Sequence, residues 1–240
     1  LAVRLGMRLV KGLSQSEAEG ISEVVGGEGP FQTVDRLWKR SGVRIAALRR
    51  LAQADAFGSM GLDRQAALWA LRGLNDDPLP LLDGLESGAA EPARLPQITR
   101  IKKVMQDYRF TGLSLKEHPV AFIRDRLESM GVTANAALAD PARTPAGLHA
   151  AVAGIVLVRQ RPGTASGIVF ITLEDETGVA NLIVRPKVYE RYRRAARHST
   201  VLIAQGKVER QGEVVHILVS RLGSGDDELE ELTSKSRDFH

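Results

Sequence analysis

Three carboxylates, Glu174, Asp175 and Glu176, stand in a row between two apolar runs in "FITLEDETGVANLIV". Clustered acids can hold divalent metals or relay protons, so catalysis is sought here first. A two-metal site needs carboxylates that converge on ions about 4 Å apart, usually from different elements. Neighbouring residues of a strand point to opposite faces, so Glu174 and Asp175 diverge, and Thr177-Gly178 supplies a turn directly after them. The spacing therefore predicts the tip of a β-hairpin. The five histidines, His118, His149, His198, His216 and His240, are scattered without metal-ligand spacing, and no GxSxG, GxGxxG or Walker pattern occurs. Cysteine is absent, which removes thiol nucleophiles and thiolate metal sites. No catalytic residue, metal ligand or cofactor is expected within this chain.

Residues suited to phosphates are easier to find. "LVKGLSQSEAEGI" reads as an apolar helix, a tight turn at Lys11, Gly12, Leu13 and Ser14, and a second helix. Ser14 as N-cap with Glu17 three residues on is a capping-box pattern. Gly12 lets the backbone turn, the second helix presents N–H groups and its positive end, and Lys11 adds a point charge. This is the outline of a helix-hairpin-helix, which grips phosphates without reading bases; an ordinary αα-corner shares the same outline. In the second candidate, Ala54-Asp55-Ala56-Phe57, Asp55 opposes a phosphate. That turn is expected to pack against the first unit, with Phe57 as its buried anchor.

These groups must be held by two kinds of element. Residues 1–75 place Leu and Ala at helical spacing, with Gly42 and Gly58 as stops and Leu68, Leu71 and Trp69 facing inward. Residues 76–150 are a linker rich in Pro, Gly and acids, then a helical connector with helices near 99–110 and 119–130. From residue 151 to 223 the period becomes two, giving five strands with the helix "PKVYERYRRAARH" between the third and fourth. That order is an OB-fold barrel. The fold class is thus α+β and multi-domain: an all-α tandem helix-hairpin-helix region followed by a five-stranded OB-fold barrel.

The usual ligand face of such a barrel is formed by strands two and three with nearby loops. Phe170 is the one aromatic available there for base stacking, although the alternation leaves open whether Phe170 and Thr172 or Ile171 and Leu173 face the core. Arg159, Arg161, Arg185, Lys187, Lys207 and Arg210 are placed to follow a phosphate backbone. The charged run "RYRRAAR" reads as a solvated helix face.

Charge supports an anionic partner mildly: the 240 residues carry net +4. Residues 1–75 hold 11 Lys and Arg against 7 Asp and Glu, residues 152–222 hold 11 against 6, and the tail 224–240 is acidic. That tail is either a docking segment or a frayed terminus. No apolar run reaches the roughly 20 residues of a membrane-spanning helix, so no membrane partner is expected; a cytoplasmic location is expected because the lack of cysteine fits a reducing compartment. The chain begins without Met, as a fragment would.

"VRLGMRLVKGLS", "ALRRLAQADAFGSMGLDRQAALWALRGL", "DYRFTGLSLKEHPVAFIRDRL", "GIVLVRQRPGTASGIVFITLEDETGVANLIVRPKVYERYRR" and "SRDFH" together resemble the C-terminal portion of the bacterial error-prone, damage-inducible C-family DNA polymerase alpha subunit. The resemblance runs collinearly over nearly the whole chain. It implies a non-catalytic segment of a translesion polymerase, whose palm domain, a nucleotidyltransferase using Mg2+, lies upstream. It implies that Lys11, Gly12, Leu13 and Ser14 meet primer–template duplex and that the OB domain lies near single-stranded template. By the same resemblance, replicative relatives usually carry Gly where Asp55 stands, which weakens a DNA role for the second hairpin. No clamp-binding peptide is apparent, so the sliding clamp would be reached indirectly, through mutasome accessory proteins including an inactive Y-family-like polymerase homologue. Two other readings remain: an OB module for tRNA, because "FITLEDETG" also resembles the anticodon-binding domain of class II aminoacyl-tRNA synthetases, and a pure protein scaffold.

Overall fold

The structure is a computed structural model and describes residues 5–74, 96, 98–212 and 214–234. The acidic linker at 76–95, Glu213 and the terminal "SRDFH" lie outside the described residues. The chain divides into two compact units, Leu1–Leu115 and Lys116–His240.

In the first unit, a 3-10 turn at Met7–Leu9 precedes α1 (Gln15–Glu28), α2 (Val34–Ser41), α3 (Ile45–Gln53), α4 (Arg64–Ala70) and α5 (Arg100–Thr111). Ile21, Leu37, Leu48, Leu51, Phe57 and Leu71 point into one core, each contributing about 1.5–3 kcal/mol by leaving water. Gly42 ends α2 in the left-handed conformation, as expected. Three expectations change. Among the described residues, the apolar helix before the first turn is only the 3-10 turn. Helix α3 stops at Gln53 rather than running to Gly58, because Ala54 and Asp55 already turn back with Asp55 at φ +60°. Trp69 is 44% exposed rather than inward: α4 is short and turns inward through Arg64 and Ala67, with Leu71 buried just after it, while Arg72 stacks 5.4 Å from the indole centre.

Helix α5, read from sequence as connector, groups with this unit. The buried Arg64 on α4 pairs with Asp107 on α5. Arg64 also donates to the Gln106 side chain at 2.6 Å, and the Ser114 hydroxyl donates to Asp107 at 2.8 Å.

The second unit starts with a 3-10 turn at Pro119–Ile123, α6 (Arg124–Ser129) and a two-residue strand β1 (Val132–Thr133). Then come β2 (His149–Gln160), β3 (Val169–Glu174), β4 (Val179–Val184), α7 (Pro186–Arg191), α8 (Arg193–His198), β5 (Val201–Gln211), β6 (Val214–Ser224) and α9 (Asp226–Ser234). Strands β2 to β6 close into a barrel in the order β2-β3-β4-β6-β5, with β5 returning to β2. The β4–β6 contact is parallel and the other barrel contacts are antiparallel. Strand β1 adds a short parallel edge to β2. Closure demands close backbone approach at Gly206, where a Cβ would lie 2.2 Å from the Leu218 carbonyl oxygen and where the β5–β6 register shifts.

The alternation left open by the sequence is now fixed. Val169, Ile171 and Leu173 are buried, and Phe170, Thr172 and Glu174 face outward. Helices α7 and α8 plug one barrel end with Val188, Tyr189, Tyr192 and Ala196. Half of the supposed tail is helix α9. Its Asp226 carboxylate accepts from the Thr200 N–H at 2.9 Å and the Val201 N–H at 2.7 Å, Leu229 is buried, and Arg126 of α6 pairs with Glu228.

Candidate nucleic-acid interface

The first hairpin forms as the capping chemistry requires. Ser14 Oγ accepts from the Glu17 N–H at 3.3 Å, and the Glu17 carboxylate accepts from the Ser14 N–H at 3.1 Å. Gly12 turns at φ +78° with the Arg50 guanidinium lying over it, so a Cβ there would meet Nη1 at 2.9 Å. Lys11 is exposed but tethered: its N–H donates to the Phe110 carbonyl at 2.9 Å and its ammonium to the Tyr108 carbonyl at 3.1 Å. An ammonium has three donors, so this contact at the negative end of α5 leaves Lys11 able to hold an anion as well. The Ser14 hydroxyl and N–H, reinforced by Arg44, hold the Glu17 carboxyl below its usual range. A carboxylate therefore already sits at the start of α1, and the cations that face the turn are Lys11 and Arg50.

The second hairpin belongs to the core. Phe57 is 4% exposed, and its carbonyl accepts from the N–H groups of Met60 and Leu62. Asp55 occupies a left-handed position that Gly would fill without strain.

On the barrel, β3 and β4 present paired outward side chains: Phe170 beside Ile183, and Thr172 beside Asn181 with a 3.2 Å hydrogen bond. The β5–β6 hairpin bends beside this face and encloses an open groove of about 750 Å³ lined by Phe170, Ile183, Lys207, Arg210 and His216. An aromatic face with a cation alongside is suited to a stacked base and its phosphate.

The six basic candidates separate into three groups. Lys207 and Arg210 join Phe170 at the groove. Arg161, Arg185 and Lys187 gather where the β2–β3 loop meets the start of α7, with Arg161 5.7 Å over the Tyr189 ring and Gly167 against Pro186. Arg159 stands apart, because its guanidinium donates to the carbonyls of Ala196 and Ser199 at the end of α8. Arg210 is likewise committed, donating to the carbonyls of Leu138 and Thr144 at 2.7 and 2.8 Å. Their sequence neighbours gave no sign of these contacts, which span about forty and seventy residues.

At the other end of the β3–β4 ladder, the carboxylates form the anticipated hairpin tip, with one addition. Asp175 is 3% exposed. One oxygen accepts from the Thr177 N–H and hydroxyl and the Gly178 N–H, and the other from the Asn135 N–H and Arg124 at 2.7 Å. Burial pushes this carboxyl up, but the Thr177 hydroxyl, the backbone donors and Arg124 outweigh it and hold it below its ordinary range. Arg124 also grips Glu176, at 2.5 Å. Arg124 and Asn135 escaped the sequence reading because nothing local marks a partner forty to fifty residues away.

Two family models match these units: a helix-hairpin-helix motif over residues 1–67 and an OB-fold nucleic acid binding domain over residues 150–223. Error-prone DNA polymerase 2 of Rhizobium meliloti (strain 1021) is 43% identical over 247 residues, covering 99% of this chain and 22% of its own length. The chain is a homologue of error-prone DNA polymerases. Error-prone DNA polymerase 1 of the same strain is 44% identical over 92% of the chain and 20% of its own length. The chain thus spans about a fifth of the error-prone polymerases it matches. Among solved structures, asparaginyl-tRNA synthetase from Pyrococcus horikoshii is 24% identical over 32% of this chain and 20% of its own, with a TM-score of 0.28.

Proposed function

We propose that this chain is the non-catalytic, DNA-holding C-terminal segment of an error-prone translesion polymerase. In this reading Lys11, Gly12, Leu13 and Ser14, backed by Arg50, hold duplex phosphates. Phe170 stacks a template base, Lys207 meets its phosphate, and Arg161, Arg185 and Lys187 continue the track. Arg159 and Arg210 serve it by fixing the helix end and the loop beside it. The chemistry, with Mg2+, belongs to a polymerase core elsewhere in the cytoplasmic parent protein. Mutasome accessory proteins, including an inactive Y-family-like homologue, bring the sliding clamp. The observation that carries the proposal is the solvent-facing Phe170 beside Lys207 in one groove.

Fluorescence anisotropy with a primer–template duplex and with a single strand tests it. Affinity should fall with rising salt, with a log–log slope of about 0.7 to 0.9 for each phosphate held. A flat salt response would favour a protein scaffold, and preferential binding of tRNA in competition would replace DNA by RNA.

A further inference from the structure

The helical plug of the barrel carries a positive charge that no acid among the described residues pairs with. Between residues 185 and 197 stand Arg185, Lys187, Arg191, Arg193, Arg194 and Arg197 against one acid, Glu190. That surplus of five within thirteen residues exceeds the net +4 of all 240. Every one of the six cations is exposed. The Arg191 guanidinium lies 5.5 Å over the Tyr192 ring, and the side chains of the other five make no ion pair or hydrogen bond among the described residues. The inward side of the same helices is fully employed: Val188, Tyr189, Tyr192, Ala195 and Ala196 pack on the barrel core. Crowded like charges repel, so the packing of α7 and α8 does not explain four arginines on their outer face.

The patch also adjoins the groove. Phe170 pairs with Ile183 near the end of β4, Arg185 follows two residues later, and the β2–β3 loop touches α7 through Gly167 and Pro186. Guanidiniums over tyrosine rings, at Arg161–Tyr189 and Arg191–Tyr192, repeat the planar cation-and-aromatic arrangement that suits a flexible nucleic-acid strand.

We infer that the outer face of α7–α8, through Arg191, Arg193, Arg194 and Arg197, is a second binding surface for single-stranded nucleic acid, extending the Phe170 groove round the end of the barrel. The inference rests on the proposed function for the groove and adds residues that the groove does not contain. A strand long enough to leave the groove should therefore gain phosphate contacts that a short one cannot.

The test uses the full chain with single strands of about 5 and about 20 nucleotides, near and beyond the limits of one OB site, as deoxythymidine and uridine oligomers. Arg191→Gln, Arg193→Gln, Arg194→Gln and Arg197→Gln are combined, with an unchanged melting curve as the check on folding. On the long strand the combined variant should lose about 3 from its log–log salt slope, at roughly 0.7 per phosphate, and should bind the short strand as the parent does. Glu190→Lys should steepen the long-strand slope by about 0.7. An unaltered long-strand slope in both variants would overturn the patch and leave the groove intact. Loss of short-strand binding in the parent, with the arginine effect retained, would overturn the groove and leave the patch. Equal competition by polyglutamate of matched charge would make the partner an acidic protein and sink the nucleic-acid assignment. Equal slopes for the two oligomers would mean that the phosphates of DNA and RNA are both accepted.

Discussion

The two ends of the β3–β4 ladder hold charged residues at similar density and do opposite things with them. At the turn, Asp175 is buried and both its oxygens are filled by donors from Asn135, Thr177, Gly178 and Arg124. At the far end, Phe170 and Ile183 open onto Lys207, and the exposed Arg185 and Lys187 follow. Charge that is internally satisfied holds the fold, whereas charge left in solvent is available to a ligand. The same contrast separates the helical hairpins: Lys11 stays exposed at its turn, while the turn at Asp55 is anchored inward by Phe57.

The sharpest way to break this comparison is Asp175→Ala. It strands the N–H groups of Asn135, Thr177 and Gly178 and leaves Arg124 only Glu176, so the loss should lie toward the lower end of the about 3–5 kcal/mol that removing one partner of a buried pair costs. Urea unfolding should show that loss, and an effect below about 1 kcal/mol, the usual range for exposed ion pairs, would place the turn on the ligand side of the contrast. The same residue makes stability depend on pH. Its folded pKa lies below the unfolded value, so its contribution is complete above about pH 4 and is lost as pH falls through the depressed folded value. Asp175→Asn should flatten that acid limb in melts taken across the range.

At the opposite end, Phe170→Ala should weaken single-strand binding by about 1–3 kcal/mol, roughly fivefold or more, by removing a stacking platform. Melting should barely move, since Phe170 lies outside the core. A large drop in melting temperature would mean that this end is structural too. A smaller effect is expected of Lys207→Gln, which should take about 0.7 from the salt slope on single strands. Least of all should follow from Glu174→Gln, half-exposed at the tip: binding unchanged and stability within about 0.5 kcal/mol by denaturant titration.

Much of this was readable from one chain of letters. The capping box at Ser14 and Glu17, the strands after residue 149, the turn at Gly212 and the helix opening at Pro186 are local, and local propensity decided them. The orientation of β3 was not readable, because Phe170 with Thr172 and Ile171 with Leu173 satisfy alternation equally well. Nor was the fate of individual arginines. Arg64, Arg124, Arg159 and Arg210 look like any surface cation in sequence, and each is fixed by a group more than thirty residues away. Trp69 failed for another reason. Helical spacing names a side of α4, but Leu71 and Ala67 had already filled the space there.

Helix α9 has a practical consequence for anyone dissecting the acidic end. Because Asp226 holds the amides of Thr200 and Val201 at the start of β5 and Leu229 is buried, cutting the chain at residue 224 removes a clasp along with a suspected docking segment. Lost partner capture by such a truncation would then report a loosened barrel as readily as a missing contact. The informative cut lies beyond Glu231, which leaves the clasp fastened and isolates what the remaining residues recruit.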